Sequence, residues 1–181
     1  MQDIPHLTSP HLFPSSPLPL SSPCSLFPVP CSLFLKMDKN LVKQKLDTIN
    51  RYIQLMQRFK TMTFHGYIND LDNQLTIERL LQLLIATSSK VNAYLVKELH
   101  GIQAQDSLDA FRLAGEYGIL PQPLVDKFIK FLPIEHHLLF EYDEINYKRV
   151  YEAIFVAVNL YPFYLRDLTK YLDSLERKHQ G

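Results

Sequence analysis

The residues best equipped for chemistry crowd into one stretch, from Pro133 to Tyr151. His136 and His137 stand side by side there, between the carboxylates of Glu135 and Glu141, with Tyr142 next and Lys148 and Arg149 further on. Imidazole can accept and return a proton near neutral pH. Arginine's planar fork can hold a phosphate while charge builds on it. Glu135 would repel a phosphate instead. Carboxylates and imidazoles are also ordinary metal ligands, so Glu135 and Glu141 beside the histidines make a metal site conceivable; the expectation is no metal and no other cofactor.

The elements that must position these groups read as helices. Asp38 can cap a first helix, its carboxylate accepting orphan amide hydrogens. Leu41, Leu46, Ile49, Ile53, Met56 and Phe59 then recur at helical spacing. Residues 61–69 read as a connection. A longer helix is predicted from about Asp70 to His100, with Leu71, Leu75, Leu81, Leu84, Val91, Leu95 and Leu99 as its apolar stripe and Gly101 in the left-handed position that ends it. A short helix from about Ser107 to Tyr117 closes at Gly118. Pro121 and Pro123 open another over about 122–132, since proline suits a first turn, and it can continue past Pro133 with a kink or a changed hydrogen-bond pattern. Asn146 caps the last helix, about 147–177, which Pro162 should bend. No strand is evident. The predicted class is all-α, an antiparallel bundle of about four to five helices with short loops.

Composition narrows what the bundle does. The 181 residues hold 19 Lys+Arg and 19 Asp+Glu, a formal charge of zero, so nucleic acid is not gripped by global charge. Lys127, Lys130, Lys148, Arg149 and Arg166 could still line a local surface, although the aromatics interleaved with them (Tyr147, Tyr151, Phe155, Tyr161, Phe163, Tyr164) read better as core or interface packing. Ten Tyr and eleven Phe are more apolar surface than one small bundle readily buries, which points to a homodimer. No uninterrupted apolar run is long enough for a membrane span.

Residues 1–36 differ from everything after them. They hold eight of the twelve prolines and no glycine, and Pro23-Cys-Ser-Leu-Phe27 recurs as Pro30-Cys-Ser-Leu-Phe34. Proline at this density sustains neither helix nor central strand. The expectation is a disordered Pro/Ser-rich leader over 1–36, or translated upstream DNA with Met37 as the true start, and a folded domain over 37–181. Both cysteines, Cys24 and Cys31, fall in the leader, so the domain needs no disulfide and suits a reducing cytosol.

The segment Pro133-Ile-Glu-His-His-Leu-Leu-Phe-Glu-Tyr-Asp-Glu-Ile-Asn-Tyr-Lys-Arg-Val-Tyr151 resembles the signature of the HepT family, minimal ribonuclease toxins of the HEPN superfamily. That signature reads R-N/H-x-x-x-H-x-Y, then an acidic turn, then a long last helix. Thr76-Ile-Glu-Arg-Leu-Leu-Gln-Leu-Leu-Ile-Ala86 and Ala114-Gly-Glu-Tyr-Gly-Ile-Leu-Pro121 fit the family as well, and the resemblance spans about residues 38–178. It implies a homodimer whose arginine and histidine meet at a cleft between protomers and cut RNA without metal. It also implies a nucleotidyltransferase-type antitoxin partner, which attaches adenylate groups to the tyrosine matched here by Tyr142.

The two defining residues are replaced. Glu135 stands where the family has arginine, and Phe140 stands where it has histidine. Phe140 cannot transfer a proton, so no ribonuclease activity is expected by the family mechanism, and the role falls to dimerisation and partner binding. The alternative is an active ribonuclease that uses displaced residues. His136 and His137 are the candidate substitutes, and RNA is a partner only in that case. Position 137 keeps roughly the face of 140 but sits about one turn away.

Overall fold

Asp38 does cap the first helix, accepting the Leu41 amide at 3.1 Å. This computed structural model describes residues 37–140 and 146–179, with the backbone alone for 140, 178 and 179. The leader, with Cys24 and Cys31, and the acidic turn Glu141 to Ile145, with Tyr142, lie outside the described residues. The elements are α1 (Lys39–Gln57), α2 (Phe64–Ile68), α3 (Leu71–His100), α4 (Ser107–Glu116), α5 (Gln122–Phe131), α6 (Pro133–Phe140) and α7 (Tyr147–His179). Among the described residues there is no strand. No helix among them is long and apolar enough to cross a membrane.

The caps explain where the helices begin and end. Asp70, Asp106 and Asn146 accept the amides of Asn73, Asp109 and Arg149, at 3.0, 2.7 and 3.1 Å. Gly101 ends α3 at φ 72°, and Gly118 follows α4 at φ 68°, a left-handed backbone that side chains with a Cβ resist. Pro133 has no amide hydrogen to continue α5. The chain therefore turns at Leu132, and a new helix, α6, starts with Glu135 N–H donating to the Leu132 carbonyl at 2.9 Å.

Three sequence expectations need correction, the first being Leu41, which is exposed while Val42 takes the first inward position of α1. Residues 61–69 are not a plain connection, because α2 forms within them with Thr63 Oγ1 accepting from Gly66 N–H. Leu71 and Leu75 do not belong to the buried stripe of α3, being 66% and 56% exposed. Gln74 occupies the buried side instead, since its Nε2 donates to the Ile68 carbonyl at 2.9 Å and so satisfies a group from α2. From Ile77 onward the stripe is apolar as expected, through Leu81, Leu84, Val91, Leu95 and Leu99.

The two long helices, α3 and α7, join through a buried polar seam. Ser88 Oγ lies 3.2 Å from the Tyr161 hydroxyl, and the Tyr164 hydroxyl donates to Asn92 Oδ1 at 2.9 Å. Residues 88 and 92 meet 161 and 164 in rising order, so α3 and α7 run the same way. By contrast, α1 is antiparallel to both. Its start meets the end of α3 through Asp38 N–H to the Tyr94 hydroxyl, and the end of α7 through Lys39 to Glu176. The connecting helices α4 and α5 bring the chain back; their Phe111 and Phe128 stack on each other at 4.4 Å, Phe111 lies tilted on Tyr164 at 5.9 Å and Phe128 meets Tyr161 edge-on at 5.2 Å. Burial pushes both tyrosine hydroxyls well above their ordinary pKa, so they serve as neutral partners in the seam.

Replacing Tyr164 with Phe should cost about 1–3 kcal/mol, because the buried Asn92 oxygen is left without its donor. Thermal unfolding of Tyr164→Phe beside the natural chain would show this as a lower midpoint with secondary structure intact.

Candidate functional site

Helix α6 carries Glu135, His136 and His137, and its phase decides what each can reach. Ile134 and Leu138, one turn apart, are both buried against the core. Gln82 Nε2 of α3 donates to the Leu138 carbonyl at 3.0 Å and holds the far end. With that face inward, residues two apart point in nearly opposite directions. Glu135 turns toward α3 and α4, where it lines a hollow of about 290 Å³ with Ser89, Lys90, Asp106 and Ser107. Tyr161 feels it: burial and then the Ser88 contact dominate the hydroxyl's pKa, and the Glu135 carboxylate adds a smaller upward push.

His137 turns the other way, toward the start of α7. Its Nε2 lies 2.6 Å from a guanidinium nitrogen of Arg149. Guanidinium has only donors, so the imidazole nitrogen must be the acceptor and the ring proton must sit on Nδ1. His136 is exposed between the two. The structure thus brings His137 together with Arg149 and does not bring it together with Glu135. Phe140 is the last residue of α6, about one turn beyond His137.

The pairing of His137 with Arg149 was not readable from sequence. The two are twelve residues apart, on separate helices, and neither spacing nor periodicity links them. The cations of the local surface divide. Of the cations singled out, Lys127, Lys130 and Arg149 line one hollow between α5, α6 and α7. Arg166 does not join them, since it pairs with its neighbour Asp167 at 2.7 Å. The interleaved aromatics divide: Tyr161 and Tyr164 are fully buried, Tyr151 and Phe155 half-buried, and Tyr147 and Phe163 exposed. Among the described residues, no group of three His, Cys, Asp or Glu side chains could hold a metal ion.

The fold is that of the HEPN toxins. One similar solved structure is the tri-AMPylated Shewanella oneidensis HEPN toxin in complex with MNT antitoxin, at TM-score 0.59 and 20% identity over 78% of this chain and 99% of that one. Another is a toxin–antitoxin complex with AMP-PNP, at TM-score 0.58 and 20% identity over 76% and 98%. In sequence, a curated tRNA nuclease HepT from Aphanizomenon flos-aquae (strain 2012/KM1/D3) is 29% identical over 139 residues, 77% of this chain and 95% of the relative. The family model for HepT-like ribonucleases matches residues 49–173. The chain therefore belongs to the HepT-like ribonuclease family, as the signature segment led us to expect.

Away from this segment, burial shifts the pKa of another histidine. His100, at the end of α3, stacks on Tyr117 with ring centroids 4.3 Å apart, and burial holds it below its ordinary value of 6.5. A lowered folded pKa means that the folded state binds fewer protons, so the stability it contributes is present above pH 6.5 and is lost as pH falls through the lower folded value. His100→Phe keeps an aromatic ring against Tyr117 and removes the titration. The natural chain should lose melting temperature between about pH 7 and about pH 5.5, and the variant should lose less.

Proposed function

We propose that this chain is a HepT-family protein degenerate for RNA cleavage, acting through dimerisation and the binding of a nucleotidyltransferase-type antitoxin. The observation that carries this reading is the division of α6. At the family's arginine position stands Glu135, a carboxylate turned toward Lys90 and Asp106, and Phe140 stands at the histidine position. A carboxylate there repels phosphate, and phenylalanine cannot move a proton, so both halves of the family chemistry are missing together.

Assembly has its own support. Phe64, Ile68, Leu71, Leu75 and Tyr147 are exposed where α2 meets the starts of α3 and α7. Rings of Phe64 and Tyr147 pack onto Tyr151 and Tyr67 at that end. Large apolar side chains grouped on a surface commonly mark an interface, and the proposed occupant is a second copy of the chain. The antitoxin proposal rests on the HEPN toxin neighbour being bound to an MNT antitoxin. Tyr142 remains the proposed modification or partner contact.

A second reading has one observation in its favour. His137 and Arg149 are a base and a cation within hydrogen-bond distance, which is the pair of groups that metal-free RNA cleavage requires. On this reading the chain is an active ribonuclease with displaced residues, neutralised by the antitoxin, and RNA is its substrate.

Purified protein incubated with mixed RNA in excess chelator should leave it intact. Cleavage that disappears in His136→Ala, His137→Ala would establish the second reading in place of the first. Light scattering should give twice the chain mass for the natural protein and a single chain mass for Leu71→Asp, Leu75→Asp.

A further inference from the structure

The hollow between α5, α6 and α7 has a chemistry of its own. Lys127 and Lys130, one turn apart on α5, stand across it from Arg149 in the first turn of α7. Among the described residues none of the three makes an ion pair, whereas Lys39, Arg112 and Arg166 do. Among the described residues of the lining, Glu152 is the one carboxylate. Among the described residues, three cations face one anion across the hollow, in a chain of zero formal charge.

Between the cations the floor is apolar, made by Phe131, Ile134, Ala153 and Val156, and the volume is about 270 Å³. Arg149 is held in place by His137 at 2.6 Å, which spends one donor and leaves the rest of the fork. A fixed guanidinium with flanking ammonium groups suits a phosphate, which the fork can engage through two parallel hydrogen bonds. An adjacent apolar floor suits the sugar or base of the same molecule. Small-ligand pockets run from about 300 Å³ upward, so at about 270 Å³ this hollow takes part of a nucleotide, the phosphate with its adjoining sugar or base, and little more.

We propose that the α5–α6–α7 hollow is a nucleotide phosphate site, with Lys127, Lys130 and Arg149 holding the phosphate. The ligand is either a free nucleotide or one nucleotide of a single strand, since both present the same group. An acidic peptide would satisfy the lysines but would leave the apolar floor without a matching ring. Neither Glu135 nor Phe140 takes part; Arg149 is shared with the second reading above, whereas Lys127 and Lys130 belong to neither reading of cleavage, so their variants test this site alone.

The test is fluorescence anisotropy of the full chain with a labelled ten-nucleotide single-stranded RNA at low salt, with AMP, inorganic phosphate and polyglutamate as competitors. Lys127→Glu, Lys130→Glu should weaken binding by about tenfold or more and flatten its salt dependence, and Arg149→Gln should weaken it as well. Lys43→Glu, Lys45→Glu on α1 should bind like the natural chain. All these lysines are exposed, and a matching melting temperature would confirm that each variant folds. Competition by AMP would assign the site to a free nucleotide. RNA binding that AMP does not displace would assign it to a strand. Unchanged binding by Lys127→Glu, Lys130→Glu, displacement by polyglutamate as readily as by RNA, or no binding of RNA or AMP would overturn the proposal.

Discussion

The seam between α3 and α7 is what the rest of the molecule hangs on. Ser88 and Asn92 present buried polar groups from the middle of α3, and Tyr161 and Tyr164 answer them from α7. Buried hydrogen bonds cost little when made and much when broken, so this seam fixes both the register and the direction of the two long helices. Phe111 and Phe128 then pack against the same tyrosines and tie in α4 and α5. Once α3 and α7 are set, α6 has one berth across them. Ile134 and Leu138 point inward, and the faces left to Glu135 and His137 follow from helical geometry alone.

That phase separates the charged groups of the signature segment into two environments. Glu135 faces α3 and α4, where a carboxylate has Lys90 nearby. His137 faces α7, where it anchors Arg149 at the edge of a cationic hollow. On the proposed reading, a carboxylate in the arginine's place does more than remove a cation: it puts negative charge on the α3–α4 side, while Lys127, Lys130 and Arg149 line the hollow on the α7 side. The HepT-like fold is retained, and the placement of charge on it supports a protein that binds instead of cutting.

Much of the fold was legible because its signals are local. Asp38, Gly101, Gly118, Pro121 and Asn146 each mark a helix end through their own backbone or side chain, and each stands where expected. Helix α2 was missed because five residues are too few to show a period. Leu71 and Leu75 were misplaced because the buried position went to Gln74, through a hydrogen bond to Ile68 that only the folded chain reveals. Val42, not Leu41, takes the first inward position of α1, a choice between neighbours that hydrophobicity does not decide. At the site, the identities of Glu135, His136 and His137 were plain, yet their separation depends on Pro133 restarting the helix and on Gln82 gripping its end. The Arg149 contact depends on how α6 meets α7, which is long-range and left no trace in the spacing.

The central claim is that the scaffold kept its form while two side chains removed the chemistry. Restoring both in Glu135→Arg, Phe140→His and measuring RNA cleavage in chelator, with the natural chain alongside, tests it most directly. Cleavage by the restored variant and none by the natural chain is the predicted result. Cleavage by the natural chain at a rate the restored variant does not exceed would contradict it.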